Sequence, residues 1–114
     1  MAALKTQQAT ILDALLTAVV VLDEQLVIRQ VNAAAESLLD HSARRLLNEP
    51  FASSYVSTTL SSDLLKSCLL DQQTLVNSEA ELVLHSGHKI TVEVSIQFWR
   101  DGAADMPRLL LELR

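Results

Sequence analysis

The sequence is poor in aromatic residues, glycine and proline. Phe, Trp and Tyr make up 4% of the 114 residues, and there are two glycines and two prolines. A chain with 49% hydrophobic residues and so few glycines and prolines has neither the composition of a disordered protein nor that of a low-complexity one. We therefore expect one folded domain over residues 1–114, with a core built from aliphatic side chains.

The chain also lacks disulfide partners and long hydrophobic runs. Cys68 is the single cysteine, which fits a reducing compartment. The longest nearly apolar run, residues 14–22, is much shorter than the roughly 20 residues of a membrane span. Asp23 follows that run, where a signal peptide would have a small-residue cleavage site. We expect a soluble, cytoplasmic protein with no membrane association.

Clustered basic residues are absent. The formal net charge is −5, and Arg44 and Arg45 are the only adjacent basic pair. Nucleic-acid binding needs a basic face that neutralises phosphates, so we expect no nucleic-acid partner.

Catalytic and metal-binding patterns are missing as well. No glycine-rich phosphate loop, CxxC pair or Ser-His-acid arrangement is present, and alternation places Glu79, Glu81 and Glu93 on outward strand positions. His85 and His88 flank a turn without the further Cys or His ligands that a structural zinc site requires, so solvated histidines are the favoured interpretation. The sequence predicts no enzyme and no metal site.

Hydrophobic spacing predicts a helix followed by a β-hairpin. Apolar residues recur at helical spacing over residues 1–16, which indicates an amphipathic helix before a core of residues 17–114. The β-branched run 19–21 favours a strand, and residues 26–31 favour a second one after the turn at 23–25.

Capping residues predict three short helices next. Asn32 and Ser42 are suitable N-caps, and Asn48 suits a left-handed helix end before Pro50. A third helix is expected to begin within residues 58–62. Its core-facing stripe is formed by Leu60, Leu64 and Cys68, flanked by Leu65 and Leu69.

From Glu79 onward the hydrophobic period is two, which predicts three strands. A three-residue turn at 85–87, with Gly87 at positive φ, keeps the first two apolar faces on one side. We expect a polar loop over 100–107, and then a strand whose inward residues are Leu109, Leu111 and Leu113.

Residues 28–39, with the sequence IRQVNAAAESLL, resemble the PAS pattern of a strand ending in Asn, followed by small residues, Glu and two apolar positions. The fold-signature residues of this resemblance are Asn32 and Glu36 within this segment, and Gly87 in the predicted turn at 85–87. It implies an α+β PAS fold: a five-stranded antiparallel sheet with short helices on one face and an N-terminal amphipathic helix. Residues 12–31 and 109–114 more narrowly resemble the N-terminal domain of nitrogen-regulation sensor histidine kinases of the NtrB type.

The resemblance implies a sensory and dimerisation module without a cofactor. Members that bind haem use a His in the central helices, but residues 51–73 contain none. Cys68 lies in the sequence SCLL and not in the NCRF motif of flavin-binding members, so a buried structural thiol is favoured. A full-length NtrB-type protein would autophosphorylate on His, phosphorylate a response regulator that regulates transcription, and respond to PII through its kinase portion.

Two functions remain open on this basis. In the first, the domain forms a homodimer through an interface comprising Leu4, Ile11, Leu12, Leu15 and Trp99. The alternatives are that the helix covers the chain's own sheet, and that Trp99 is an edge residue covered by the 100–107 loop. In the second function, a small apolar ligand occupies a pocket lined by Ile28, Leu64, Cys68 and Val94.

Overall fold

The computed structural model describes residues 17–51, 62–72, 74–84, 86–102 and 105–114. They form an antiparallel five-stranded sheet with helices packed on one face, which confirms the predicted α+β architecture. The predicted N-terminal helix, residues 1–16, lies outside the described residues. In chain order the elements are β1 (Ala18–Leu22), β2 (Ile28–Val31), α1 (Ala33–Leu39), α2 (Ala43–Leu46), α3 (Ser62–Leu70), β3 (Leu75–Val83), β4 (Lys89–Asp101) and β5 (Met106–Leu113).

The sheet order, β2-β1-β5-β4-β3, brings the two ends of the described chain together. β1 pairs with β2 through the predicted hairpin, and its other edge pairs with β5, where Val20 lies opposite Leu111. β5 in turn pairs with β4, with Ile96 opposite Leu111. The last strand therefore lies in the middle of the sheet.

Strand alternation directs one face of the sheet into an aliphatic core. Leu109, Leu111 and Leu113 are all buried, as predicted, and they pack with inward residues of the other strands and with Leu39, Leu46, Leu65 and Cys68 of the helices. The buried cluster contains one aromatic residue, Phe51, and its other members are aliphatic side chains and Cys68. The core is therefore mostly aliphatic, as predicted.

The N-terminal ends of the two short helices differ from each other. Asn32 caps α1 as predicted, because its side chain accepts a hydrogen bond from the Ala35 nitrogen. Ser42 occupies the N-cap position of α2 as predicted, but its side chain makes no capping hydrogen bond. The Glu36 carboxylate takes its place and accepts from the Ala43 nitrogen at 2.9 Å. An acceptor seven residues away in sequence is not visible to a local capping rule.

Several predicted boundaries shift for identifiable reasons. β2 begins at Ile28 and not at residue 26, because Leu26 has φ 63° and Val27 bridges Pro50. β3 begins at Leu75, four residues before the predicted start, because a bulge continues its pairing with β4 beyond the alternating segment.

The turn before β4 is as predicted, whereas the loop after it is shorter. Leu84 donates to the His88 carbonyl at 2.8 Å across a three-residue turn, and Gly87 has φ 84°. The predicted loop over 100–107 was too long, since β4 runs to Asp101 and β5 begins at Met106. Polar residues at the end of a hairpin tolerate strand pairing because both faces are open to solvent there.

The burial pattern of α3 also corrects the predicted stripe. Leu65 is fully buried and Cys68 is 2% exposed, whereas Leu64 is only half-buried. Leu60 lies outside the described residues. The core-facing stripe therefore runs through Leu65 and Cys68.

Candidate functional site

Asn32, the first signature residue, is buried where β1, β2 and α1 meet. Its Oδ1 accepts hydrogen bonds from the Val19 and Ala35 nitrogens, both at 2.9 Å, and its Nδ2 donates to the Thr17 carbonyl at 2.8 Å. The Asn32 nitrogen also donates to the Val19 carbonyl at 3.2 Å. One side chain therefore caps the helix and extends the β1–β2 ladder, which explains a structural role for Asn at this position.

The other two signature residues have structural roles as well. Glu36 lies on α1 and accepts from the first amide of α2, so it fixes the position of one helix relative to the next. Gly87 provides the positive φ of the β3–β4 turn, and its nitrogen donates to the Leu84 carbonyl at 2.8 Å.

A polar network at the start of β2 was not predicted from the sequence. The Asp23 carboxylate accepts from Gln25 and Val27 nitrogens at 2.8 and 3.0 Å, and from Arg29 Nε at 2.7 Å. Arg29 also donates through a terminal guanidinium nitrogen to the Asn48 side-chain oxygen at 2.7 Å. Arg29 therefore joins the β1–β2 turn to the end of α2.

Asp23 is 4% exposed and is held in its charged form. Burial, the largest single influence, raises its pKa, but the hydrogen bonds from Val27, Arg29 and Gln25 together outweigh it. The net effect is a pKa below the ordinary value of 3.8. The network is thus an ion pair completed by backbone donors, which is the arrangement that makes a buried carboxylate tolerable.

The predicted apolar pocket residues lie together in the core. Ile28, Cys68 and Val94 belong to one buried cluster, and the half-buried Leu64 packs against it. Burial and, secondarily, the nearby Asp71 charge raise the pKa of the Cys68 thiol, which favours its neutral form. This fits the predicted structural role for Cys68.

Of the predicted interface residues, the structure describes Trp99 alone; Leu4, Ile11, Leu12 and Leu15 lie outside the described residues. Trp99 is half-buried and faces away from the core, opposite Arg108 of β5. β3 pairs with β4 only as far as Ile96, so Trp99 lies where β4 has a single neighbouring strand.

The face of the sheet opposite the core carries further apolar side chains. Val19 and Val21 alternate with the core residues of β1 and belong to this outer face, yet they are 2% and 5% exposed. Leu110 of β5 lies directly opposite Val21 and is half-buried. Sequence reasoning missed this outer strip because the run 18–22 is apolar at every position and gives no alternation.

Neither a metal-binding cluster nor a membrane-spanning helix is found among the residues that the structure describes. They contain no group of three or more His, Cys, Asp or Glu side chains arranged to hold a metal ion. An open, shallow depression between α1 and α2 is lined by polar residues: Glu36, Ser37, Asp40, His41 and Ser42. None of the helices within the described ranges is long and apolar enough to cross a membrane.

Comparison with known proteins identifies the arrangement. A model of the PAS fold family matches residues 6–106 of this chain. The sensory histidine kinase/phosphatase NtrB of Vibrio alginolyticus is 31% identical over 88 residues, covering 77% of this chain and 25% of that protein. The NtrB of Salmonella typhimurium is 34% identical over 76 residues, covering 67% and 22%. The chain thus spans about a quarter or less of these relatives.

Solved structures give the same result. The PAS domain of nitrogen regulation protein NR(II) from Vibrio parahaemolyticus superposes with a TM-score of 0.80 at 29% identity, covering 94% of this chain and 95% of that one. A PAS domain from a two-component sensor histidine kinase superposes with a TM-score of 0.79 at 16% identity over 100% and 98% of the two chains, a likeness in fold alone. The predicted PAS fold is confirmed.

Proposed function

Because the chain belongs to the PAS family, we propose that it is the sensory and dimerisation module of a cytoplasmic, NtrB-type sensor histidine kinase in nitrogen regulation. We propose no enzymatic activity for this chain by itself, since it matches the PAS family model over residues 6–106 and spans a quarter or less of these kinase relatives. The observation that carries the proposal is the similarity to the PAS domain of nitrogen regulation protein NR(II), with a TM-score of 0.80 at 29% identity over 94% of this chain.

This outer strip supports a contact surface. Val19 and Val21 lie on a central strand, and Leu110 extends the apolar area across β5. Soluble domains keep most outward strand positions polar when water covers them, as seen at Glu93 and Gln97 of β4. Val19 and Val21 are already buried within a single chain, so the half-buried Leu110 is the part of this strip that is left to contact a second chain directly.

The N-terminal segment is the proposed covering element. Residue 16 leads directly into Thr17 and β1, and the segment contains Leu4, Ile11, Leu12 and Leu15 at helical spacing. In a homodimer, this segment would contact both the sheet and its counterpart in the second chain, with Trp99 at the edge of the interface. The competing arrangement, coverage of the chain's own sheet alone, would leave the domain monomeric.

The sheet topology supports a role in relaying a signal. β5 is paired on both sides, with β1 and with β4, and its last residues pair with the first residues of β1. A change in the dimer contact at β1 would therefore act directly on β5. In the full-length protein we propose that this change reaches a kinase region that autophosphorylates on His, acts on a response regulator, and responds to PII.

The dimer proposal is tested by sedimentation velocity over a concentration series. We expect the unchanged chain to sediment as a dimer, and the variants Leu12→Glu and Trp99→Glu to shift it to monomer, because each places a charge in an apolar contact. Thr91→Lys is the control, since it adds a charge at an exposed position of the same outer face, opposite Glu81 of β3 and away from Leu110 and Trp99. A monomer at every concentration for the unchanged chain would overturn the proposal.

A second candidate function, an apolar ligand sensor, rests on the aliphatic core to which Ile28, Cys68 and Val94 belong and against which Leu64 packs. The pocket would retain a small apolar molecule through burial of its surface. Mass measurement of the intact native domain would detect such a ligand. Val94→Phe, which fills the space with a larger side chain, should abolish its retention, and an unchanged retained mass in that variant would place the ligand elsewhere.

A further inference from the structure

Residues 48–51 run along the outer edge of β2. The Asn48 nitrogen donates to the Ile28 carbonyl at 2.8 Å, and the Ile28 nitrogen donates back to the Glu49 carbonyl at 2.9 Å. The Phe51 nitrogen then donates to the Leu26 carbonyl at 3.1 Å. We name residues 48–51 the strap. It occupies the edge of a strand that would otherwise present unpaired backbone groups.

The strap is short, and Arg29 links its beginning to the rest of the fold. Arg29 contacts Asp23 through Nε and Asn48 through a terminal nitrogen, both at 2.7 Å. Asp23 is fixed by two backbone donors, so the guanidinium group is held in place on one side and binds the strap on the other. A planar fork that spans two acceptors is a property of Arg that Lys does not share.

A residue with positive φ lies at each of the two points where the strap meets the β1–β2 hairpin. Asn48 has φ 69°, a conformation that Asn tolerates. Leu26 has φ 63°, which a leucine rarely adopts, and its carbonyl accepts the Phe51 amide. The Leu26 nitrogen donates to the Asp23 carbonyl at 3.0 Å, so its conformation belongs to the β1–β2 turn and persists when the strap detaches.

Phe51, the last residue of the strap, is fully buried in the core cluster that also contains Ile28 and Cys68. Movement of the strap away from β2 would withdraw the Phe51 ring from this cluster. Opening of the core would then require loss of the strap's hydrogen bonds and of the burial of the Phe51 ring, but not unfolding of the sheet.

We propose that the strap detaches from β2 as one unit, that Arg29 is the latch that limits this motion, and that detachment opens the core beneath Phe51. The device is independent of dimerisation. It assigns to Arg29 and Asn48 the control of access to the core by solvent or a small apolar molecule. Neither residue belongs to the fold signature or to the predicted pocket.

Amide hydrogen exchange measured by NMR tests the motion directly. The Asn48, Ile28 and Phe51 amides should exchange together, at a rate insensitive to low urea concentrations, because local opening exposes little surface. Arg29→Lys, which keeps the charge beside Asp23 but cannot span both acceptors, should speed all three by about tenfold or more. Asn48→Asp, which makes the latch an ion pair, should slow them.

Arg100→Lys is the matched control. Arg100 lies beside Asp105 at 3.7 Å in an exposed pair at the far end of β4, so its replacement should leave the three amides unchanged. The proposal would be overturned by three amides that exchange only with global unfolding, or by equal effects of Arg29→Lys and Arg100→Lys.

Cys68 reports whether detachment opens the core, since it is the single thiol and is buried. Its labelling by a small thiol reagent, measured without denaturant, should accelerate in Arg29→Lys by the same factor as the strap amides. Faster amide exchange with unchanged thiol labelling would show a strap that moves without opening the core, and would overturn that part of the proposal.

Discussion

The Asn32 side-chain oxygen lies 2.9 Å from the backbone nitrogen of Val19, and the Val19 carbonyl in turn accepts from the Asn32 backbone nitrogen. A single residue thus completes the β1–β2 ladder at the position where the chain enters α1. Because Asn32 is fully buried, water cannot replace either bond when the side chain is removed.

Replacement of Asn32 by Ala should lower the free energy of unfolding by about 2–4 kcal/mol, the sum of a lost N-cap and a buried Val19 amide left without its acceptor. Asn32→Ser keeps a side-chain oxygen that can cap α1 without burying a charge, and it loses the donor to Thr17, so it should be less destabilising than Asn32→Ala. Urea denaturation measures both values. Equal losses in the two variants would contradict the role assigned to the Asn32 oxygen.

Asp23→Asn should destabilise the domain by about 2 kcal/mol at neutral pH, since it removes the charge that Arg29 and two backbone amides bind. The pKa of folded Asp23 lies below the ordinary 3.8. The contribution of the Asp23 carboxylate to the free energy of unfolding is therefore complete above the ordinary pKa of 3.8. It is lost as the pH falls through the lower pKa of the folded state.

The measurement is urea unfolding of both proteins between pH 7 and pH 3. The difference in free energy of unfolding should stay constant down to about pH 4.5 and shrink below pH 4. A difference that already disappears near pH 6 would mean that another group, and not Asp23, controls the stability of this network.

Two leucines of α3 test the corrected core stripe. Leu65→Ala should cost about 2–4 kcal/mol, because Leu65 is fully buried and its replacement leaves a cavity. Leu70→Ala is the control on the same helix and should change stability by less than about 0.5 kcal/mol, since Leu70 is 81% exposed. Similar costs in thermal unfolding would show that Leu70 is covered in solution.

Gly87→Ala should destabilise the domain by about 1 kcal/mol through backbone strain alone. Gly87 has φ 84°, and an added Cβ would meet no atom within 4 Å. Gly87→Asn should cost less, because Asn tolerates positive φ better than Ala does. Equal thermal stabilities of the two variants would imply that the turn changes its conformation.

Local rules predicted the parts of the fold that depend on neighbouring residues. Asn32 caps α1, Asn48 and Gly87 adopt positive φ, and the residues of β4 and β5 alternate between the two faces, all as sequence patterns indicated. The pairing partners came from the family resemblance, because alternation along one strand does not specify which strand lies beside it.

The features that sequence reasoning missed depend on contacts between distant residues. Glu36 replaces Ser42 as the hydrogen-bond acceptor at the start of α2. Arg29 joins Asp23 to Asn48, which lies nineteen positions after Arg29 in the chain. Arg29 alternates outward from β2 and resembles any solvated strand residue in the sequence. Arg29 gains its second hydrogen-bond partner, Asn48, only because the strap lies beside β2.

The central claim is that this domain is a dimerising relay module, and native mass spectrometry over a concentration series tests it most directly. The account predicts a dimer whose mass equals two chains of 12.5 kDa, without added mass. A monomer at every concentration, or a reproducible additional mass bound to the chain, would contradict it.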